Sequence, residues 1–160
     1  MSLSLWNVLC SILLILVLLN VSMTDLRYFR IPKGSYFVLC ILGFVDALVA
    51  HKQWIECILG FLSVSFGLIL IYILTQSRGI GGGDIKLMAV TGILLGWKRN
   101  FLAFFSACIL VAIHFLMNKK HFLKSHRFAF GPYLSAGILL SWFFGQYILE
   151  LYNRWPGIVS

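Results

Sequence analysis

Six long apolar stretches constrain this chain more than any other feature. They cover residues 5–23, 35–50, 54–74, 85–97, 101–117 and 128–149, with short polar segments between them. A helix needs about 20 apolar residues to cross a bilayer. Of the 160 residues, 61% are hydrophobic and 11% charged, whereas soluble domains average about 45–50% and 25%. The sequence therefore predicts an all-α integral membrane protein of about six transmembrane helices, forming a single membrane-embedded domain over residues 1–160.

The fourth stretch is unusually short. Residues 85–97 would extend about 20 Å as a helix, whereas the hydrocarbon core of a bilayer is about 30 Å thick. A glycine-rich loop with a single carboxylate at its end, Asp84, comes directly before this stretch. The short span therefore predicts that Asp84 lies at or below the membrane surface.

The first stretch predicts a retained span, because no Lys or Arg precedes Arg27 and a signal peptide begins with a basic region. With six spans, Asp25 and Asp84 lie on the same face of the membrane. Nine basic residues belong to that face and four to the other. The nine are Arg27, Arg30, Lys33, Arg78, Lys86, Lys119, Lys120, Lys124 and Arg127, and the four are Lys52, Lys98, Arg99 and Arg154.

The positive-inside rule then places the two aspartates on the cytoplasmic side of the inner membrane and the N-terminus outside. It also accounts for the net charge of +8. The expected surroundings are a lipid bilayer, and no nucleic acid partner is predicted.

Cysteine and histidine residues indicate neither a metal site nor a disulfide framework. The four cysteines lie in different apolar stretches without a CxxC motif, and the four histidines form no HExxH pattern. We therefore expect no metal and no cofactor, with the cysteines acting as small buried apolar residues.

The five acidic residues divide by face. Asp46, Glu56 and Glu150 belong to the external side, where solvated acids at the membrane surface are expected. Asp25 and Asp84 are each at the cytoplasmic end of a span. Taken singly, either could be an interfacial acid, and Asp84 could cap the fourth helix.

Brought together, Asp25 and Asp84 could act as an aspartic protease pair. Two nearby carboxyl groups do not both ionise easily, so one keeps its proton while the other acts as a base. The base activates water, and the protonated group polarises the scissile carbonyl.

Gly81, Gly82 and Gly83 would let a substrate backbone approach this site and could adopt positive φ. A hinge or a close helix contact is the alternative role for these glycines. Substrate binding is also predicted for Arg30 or Lys86, either of which could meet an acidic group on the substrate. Lys86 lies about 200° around the helix from Asp84, and snorkelling to the lipid headgroups is its alternative role.

These residues resemble a known family. The run from Gly81 to Asp84 matches the GxGD signature of membrane aspartyl proteases, and the run on to Leu95-Gly96-Trp97 resembles the type IV prepilin peptidases. Asp25 followed by Arg30-Ile31-Pro32 resembles the first aspartate motif of that family, and Phe130-Gly131-Pro132 resembles a third segment. The similarity extends over about residues 20–140.

The resemblance implies an endopeptidase with Asp25 and Asp84 as its catalytic pair. It would remove the leader peptide of type IV pilin-like precursors at the cytoplasmic membrane face. Substrates of this family are cut after a glycine, just before a hydrophobic helix that usually carries an early glutamate.

Two departures from the family pattern matter. Lys33 follows Ile-Pro where the family often has Asn. Bifunctional members also carry an N-terminal region with paired CxxC motifs, which this sequence does not contain. We therefore expect peptidase activity without N-methyltransferase activity, and methyl transfer to a cleaved substrate would contradict this expectation.

A small proton-coupled transporter or channel is the main alternative, because it too could use two membrane-embedded acids and a glycine-broken helix. It would more naturally show inverted repeats or acids near the midplane, and the sequence shows neither. A structural subunit of a secretion machine is a third possibility, which would need neither aspartate.

Overall fold

The computed structural model describes residues 3–74, 81–117 and 129–154, and the secondary structure of these residues is entirely helical. The helices are α1 (Leu3–Tyr28), α2 (Lys33–Val49), α3 (Trp54–Leu74), α4 (Gly82–Leu95), α5 (Trp97–Met117) and α6 (Gly131–Arg154). Four of them, α1, α3, α5 and α6, are long and apolar enough to cross a membrane. The prediction of an all-α membrane protein is confirmed.

The short helix α4 lies at the centre of the bundle. It packs against α2, α3, α5 and α6, and nine of its fourteen residues are buried. In the long helices, by contrast, large apolar side chains such as Leu16, Phe66 and Phe105 are exposed. An apolar outer surface of this kind is expected of helices that face lipid, whereas α4 is enclosed by its neighbouring helices.

Glycines allow α3 and α4 to cross in backbone contact. A Cβ atom added to Gly60 would lie 2.1 Å from the carbonyl oxygen of Gly92, and one added to Gly92 would lie 2.0 Å from that of Gly60. The side chain of Asn100 donates hydrogen bonds to the carbonyl oxygens of Gly60 and Met88, each at 3.1 Å. Small residues let membrane helices approach this closely, and Asn100 joins the crossing to α5.

The structure corrects several predicted helix boundaries. The first helix continues to Tyr28 rather than ending at residue 23, so Asp25 is helical. The fourth helix begins at Gly82 rather than at residue 85, so two of the clustered glycines are helical. The polar residues 98–100, which separate two of the predicted stretches, are already part of α5, because Gly96 alone separates α4 from α5. Its φ of 76° is readily adopted by glycine, so one residue suffices to reverse the chain.

The other predicted features of the chain have mixed outcomes. Residues 78–80 of the glycine cluster and the basic loop at 118–127 lie outside the described residues. Cys10 and Cys57 are buried as expected, but Cys40 and Cys108 are exposed. Those two positions lie on outward-facing sides of their helices, which the apolar composition of the stretches did not reveal.

Asp46 is not the solvated acid that the sequence predicts. Its side chain is buried and accepts hydrogen bonds from Trp6 Nε1 at 3.0 Å and from Lys52 Nζ at 2.5 Å. Lys52 Nζ also donates to the carbonyl oxygen of Leu94 at 2.7 Å, in the last turn of α4. The prediction was wrong because the turn after α2 brings Lys52 back over Asp46. Glu56, across the same turn, is exposed.

Candidate active site

Asp25 lies one turn before the end of α1 and is buried. The backbone N–H of Gly131, the first residue of α6, donates a hydrogen bond of 2.8 Å to its Oδ2. A helix N-terminus carries unpaired N–H groups and a partial positive charge, which favour a carboxylate at that position. A Cβ atom on residue 131 would lie only 2.6 Å from Asp25 Oδ2, so this contact requires glycine.

Phe29 follows the last residue of α1 and closes the helix. Its φ of 52° is in the left-handed region that commonly closes helices, and its N–H donates to the carbonyl oxygen of Asp25 at 2.9 Å. This conformation is uncommon for a bulky residue. The chain then runs through Arg30 and Ile31 to Pro32, which precedes the first residue of α2, and this short connection lies beside both aspartates.

Asp84 is the third residue of α4 and is buried. Gly81 occupies the N-cap position, and no side chain there makes a capping hydrogen bond. Asp84 is therefore not itself the N-cap residue, but its carboxyl group interacts with the backbone N–H of Gly81, so the capping role that the sequence allows is compatible with the structure. A Cβ atom on Gly81 would lie 3.1 Å from Asp84 Oδ2.

The two aspartates line one pocket of about 320 Å³. Its walls come from the end of α1, the link to α2, the start of α4 and the residues just before α6. The other lining residues are Phe29, Arg30, Ile31, Tyr36, Gly81, Gly82, Gly83 and Phe130. The fold therefore brings together, at one pocket, two carboxyl groups separated by 59 positions along the chain.

The clustered glycines differ in their surroundings. No atom lies within 4 Å of a Cβ added to Gly82, so this side of the pocket is open. A Cβ on Gly83 would lie 3.0 Å from Tyr36 Oη and 3.4 Å from Ile31 Cδ1, so the glycine allows α4 to pack closely there. The predicted positive φ is not observed: Gly81 has φ of −72°, and Gly82 and Gly83 are helical.

Tyr36 is a pocket residue that the sequence reasoning missed. Its hydroxyl donates a hydrogen bond of 3.2 Å to the carbonyl oxygen of Gly83. This bond ties α2 to the first turn of α4, immediately before Asp84. A tyrosine in an apolar helix usually serves packing, so its sequence context carried no signal of this contact.

The two basic residues considered for substrate binding lie in different places. Arg30 is exposed and lines the pocket, whereas Lys86 is exposed but does not line it. The helical offset of about 200° between Asp84 and Lys86 accounts for the difference. Among the described residues, no three His, Cys, Asp or Glu side chains come together as a candidate metal site.

Comparison with known proteins identifies several that are similar to most of this chain. A model of the type IV leader peptidase family matches residues 12–116. The "Prepilin leader peptidase/N-methyltransferase" of Bacillus subtilis (strain 168) is 30% identical over 147 residues, which cover 90% of this chain and 59% of that protein. The protein of the same name from Legionella pneumophila is 28% identical over 157 residues, covering 91% of this chain and 53% of that protein.

A shorter match is found with "Leader peptidase HopD" of Escherichia coli, 37% identical over 75 residues, which cover 44% of this chain and 48% of that protein. The chain thus spans between about half and three-fifths of the length of these curated relatives. No solved structure matches it.

Proposed function

The chain belongs to the type IV leader peptidase family, and we propose that it is a membrane aspartyl endopeptidase that removes the leader peptide of type IV pilin-like precursors. One observation carries this proposal: Asp25 and Asp84, from different helices, line the same pocket. The names of the relatives support the reaction. Two of these relatives are also named as N-methyltransferases, and that second activity is stated of those two proteins only.

The proposed chemistry uses the two carboxyl groups as a pair. Because both are buried beside one pocket, ionising the second would place two like charges in a poorly solvated site. One carboxyl group then keeps its proton and polarises the scissile carbonyl, while the other accepts a proton from the attacking water. The open side of the pocket at Gly82 would admit the substrate backbone.

We further propose that the chain acts as a single membrane-embedded domain in the inner membrane, with this pocket on the cytoplasmic side and the N-terminus outside. The excess of basic residues on the face shared by Asp25 and Asp84 supports this orientation. A precursor whose leader is cytoplasmic and whose following helix is apolar could then meet the pocket while that helix stays in the bilayer.

The first test is cleavage of a pilin-like precursor by the wild type, Asp25→Asn and Asp84→Asn in detergent or membranes. Each amide is nearly isosteric with the acid but does not act as a general base. We expect each variant to lose at least about 100-fold in cleavage rate while unfolding at the wild-type temperature. Arg154→Gln, which removes one charge from the far end of α6, is the control and should cleave normally. Retained cleavage by either aspartate variant would remove that residue from the mechanism.

A second test concerns Arg30, which lines the pocket and carries a charge opposite to that of a substrate glutamate. We expect Arg30→Glu to slow cleavage of a precursor with glutamate early in its helix by about two- to fivefold more than cleavage of the matching glutamine precursor, as for an exposed charge pair. Lys86→Glu should show a smaller preference, because Lys86 does not line the pocket. Equal losses on both precursors in the Arg30 variant would exclude a role in recognising the acidic group.

A further inference from the structure

A second cavity lies at the end of the bundle opposite the aspartate pocket. Asp84 is in the first turn of α4 and Leu95 is its last residue, so the two ends of this helix are about 20 Å apart. Beside Leu95 is a cavity of about 670 Å³, bounded by α3, α5 and α6. Its walls carry charges of both signs, from Lys52, Glu56, Lys98, Arg99 and Glu150.

Apart from Lys52, which is paired with Asp46, the four remaining charged groups of the cavity are not paired with one another. In the described part of the chain the one ion pair within 4.0 Å joins Lys52 to Asp46, so none of the four is engaged in this way. Lys98 Nζ instead lies 5.4 Å from the ring centroid of Trp97. Two basic and two acidic groups that face one cavity without pairing can each interact with a ligand that carries both charges.

The position of Arg99 is set by its neighbours in α6. Its carbonyl oxygen accepts a hydrogen bond of 2.6 Å from Ser141 Oγ. Its side-chain carbons pass close to Gly145, where an added Cβ atom would lie 3.3 Å from Arg99 Cγ. Arg99 is only partly exposed, so its side chain has restricted freedom.

An apolar groove continues from the charged cavity. Trp97 and Phe101 line the cavity and also a groove of about 470 Å³ between α3 and α5, whose other walls include Leu62 and Phe66. The groove opens on the apolar outer surface of the bundle. Trp97 and Tyr152 at the cavity are of the residue types that concentrate at membrane–water interfaces. Together the cavity and the groove have the form of a headgroup site joined to an acyl-chain site.

We propose that this cavity and groove bind one phospholipid whose headgroup carries both a phosphate and a primary ammonium group. Arg99 and Lys98 face the phosphate, Glu56 and Glu150 accept hydrogen bonds from the ammonium group, and one acyl chain lies along Phe101 and the groove. An anionic headgroup without an amine leaves the two carboxylates unmatched. A quaternary ammonium group has no N–H to donate to them.

The test measures which lipid the purified 160-residue chain retains. The protein is delipidated in neutral detergent and offered phosphatidylethanolamine, phosphatidylglycerol and phosphatidylcholine with identical acyl chains, and bound lipid is counted by native mass spectrometry. We expect about fivefold enrichment of phosphatidylethanolamine over each of the others, a modest preference set by a few charge-assisted contacts. Water-soluble glycerophosphoethanolamine, which has the headgroup but no acyl chain, should compete poorly.

Variants of the cavity residues distinguish specific binding in the cavity from a general affinity for lipid. Arg99→Gln and Glu150→Gln should each abolish the enrichment, and Glu150 is an exposed position where the amide should not disturb folding. Arg154→Gln removes a charge near the same end of α6 without lining the cavity and should retain the wild-type preference. Equal retention of the three lipids by the wild type, or undiminished enrichment in both cavity variants, would overturn the proposal. Efficient competition by the soluble headgroup would show that the groove holds no acyl chain.

Discussion

At the scale of single residues, the position of Asp25 depends on a residue 106 positions further along the chain. Gly131 donates its N–H to the carboxylate and leaves no space for a side chain beside it. Asp84 similarly lies against Gly81, next to a turn that Tyr36 ties to α2. The two carboxyl groups are thus oriented mainly by backbone groups and glycines, so the site is sensitive to very small substitutions.

Gly131→Ala should therefore disable the pocket without removing any functional group. The added methyl group would lie 2.6 Å from Asp25 Oδ2 and 2.9 Å from its Cβ, so Asp25 must move. If Asp25 is catalytic, we expect about a 100-fold loss of cleavage rate, the size associated with misplacing a reacting group by about 1 Å.

Gly67→Ala is the matched control, because no atom lies within 4 Å of a Cβ added at that helical position. It should cleave a pilin-like precursor at the wild-type rate. A Gly131→Ala enzyme as active as this control would show that the geometry around Asp25 does not limit the reaction.

At the scale of helices, the crossing of α3 and α4 is the tightest contact of the central helix. Backbone atoms of Gly60 and Gly92 approach so closely that neither position has space for a side chain. The adjacent carbonyl of Gly60 is also bound by Asn100 from α5. A short helix that exposes little surface to lipid is thereby held by close packing on several sides.

Gly60→Ala should separate α3 from α4 and lower the stability of the protein. We expect a loss of about 1–3 kcal/mol in the free energy of unfolding, as is usual for overpacking a close contact. Gly67→Ala, in the same helix but facing open space, should instead leave stability equal or higher, since alanine favours helix over glycine by about 1 kcal/mol. Thermal unfolding of both variants in one detergent tests this, and equal unfolding temperatures would contradict it.

At the scale of the whole molecule, Asp46 joins parts of the chain that are far apart in sequence. It accepts hydrogen bonds from Trp6 in α1 and from Lys52 in the link after α2, and Lys52 also reaches the last turn of α4. Three helices therefore meet at one buried carboxylate, at the end of the bundle away from the proposed active site. Buried charges are retained at tolerable cost only when they are paired and hydrogen-bonded.

Asp46→Ala should destabilise the protein, whereas Glu56→Ala should not. The first change leaves the indole N–H of Trp6 without its partner and removes the ion pair of Lys52, which keeps its bond to the carbonyl oxygen of Leu94. Losing partners of buried polar groups costs about 1–3 kcal/mol. Glu56 is exposed, so its truncation should change the free energy of unfolding by less than about 0.5 kcal/mol. Unfolding in detergent, followed by circular dichroism, measures both. Similar losses from the two changes would contradict the proposed role of the buried carboxylate.

Much of the fold could be predicted because it depends on local properties of the chain. Apolarity summed over about 20 residues identifies a membrane helix, and this sum indicated the helices and the shortness of the fourth one. Helix ends were less predictable: α4 starts three residues earlier than expected, because glycines that look like a loop are helical when packing supports them. The single-residue link at Gly96 was not predicted, because the polar residues 98–100 that follow it resemble a turn.

The pairing of the two aspartates could be predicted from the sequence, whereas the other residues of the pocket and its geometry could not. By span parity and motif the sequence by itself paired Asp25 with Asp84, because the number of membrane crossings determines which residues share a face. Only the tertiary structure decided that Gly131 holds Asp25, that Tyr36 contacts Gly83, that Arg30 and not Lys86 lines the pocket, and that Asp46 is buried. Each of these depends on contacts between helices, such as those between residues 40 and 106 positions apart in the chain. Local composition does not reveal such contacts.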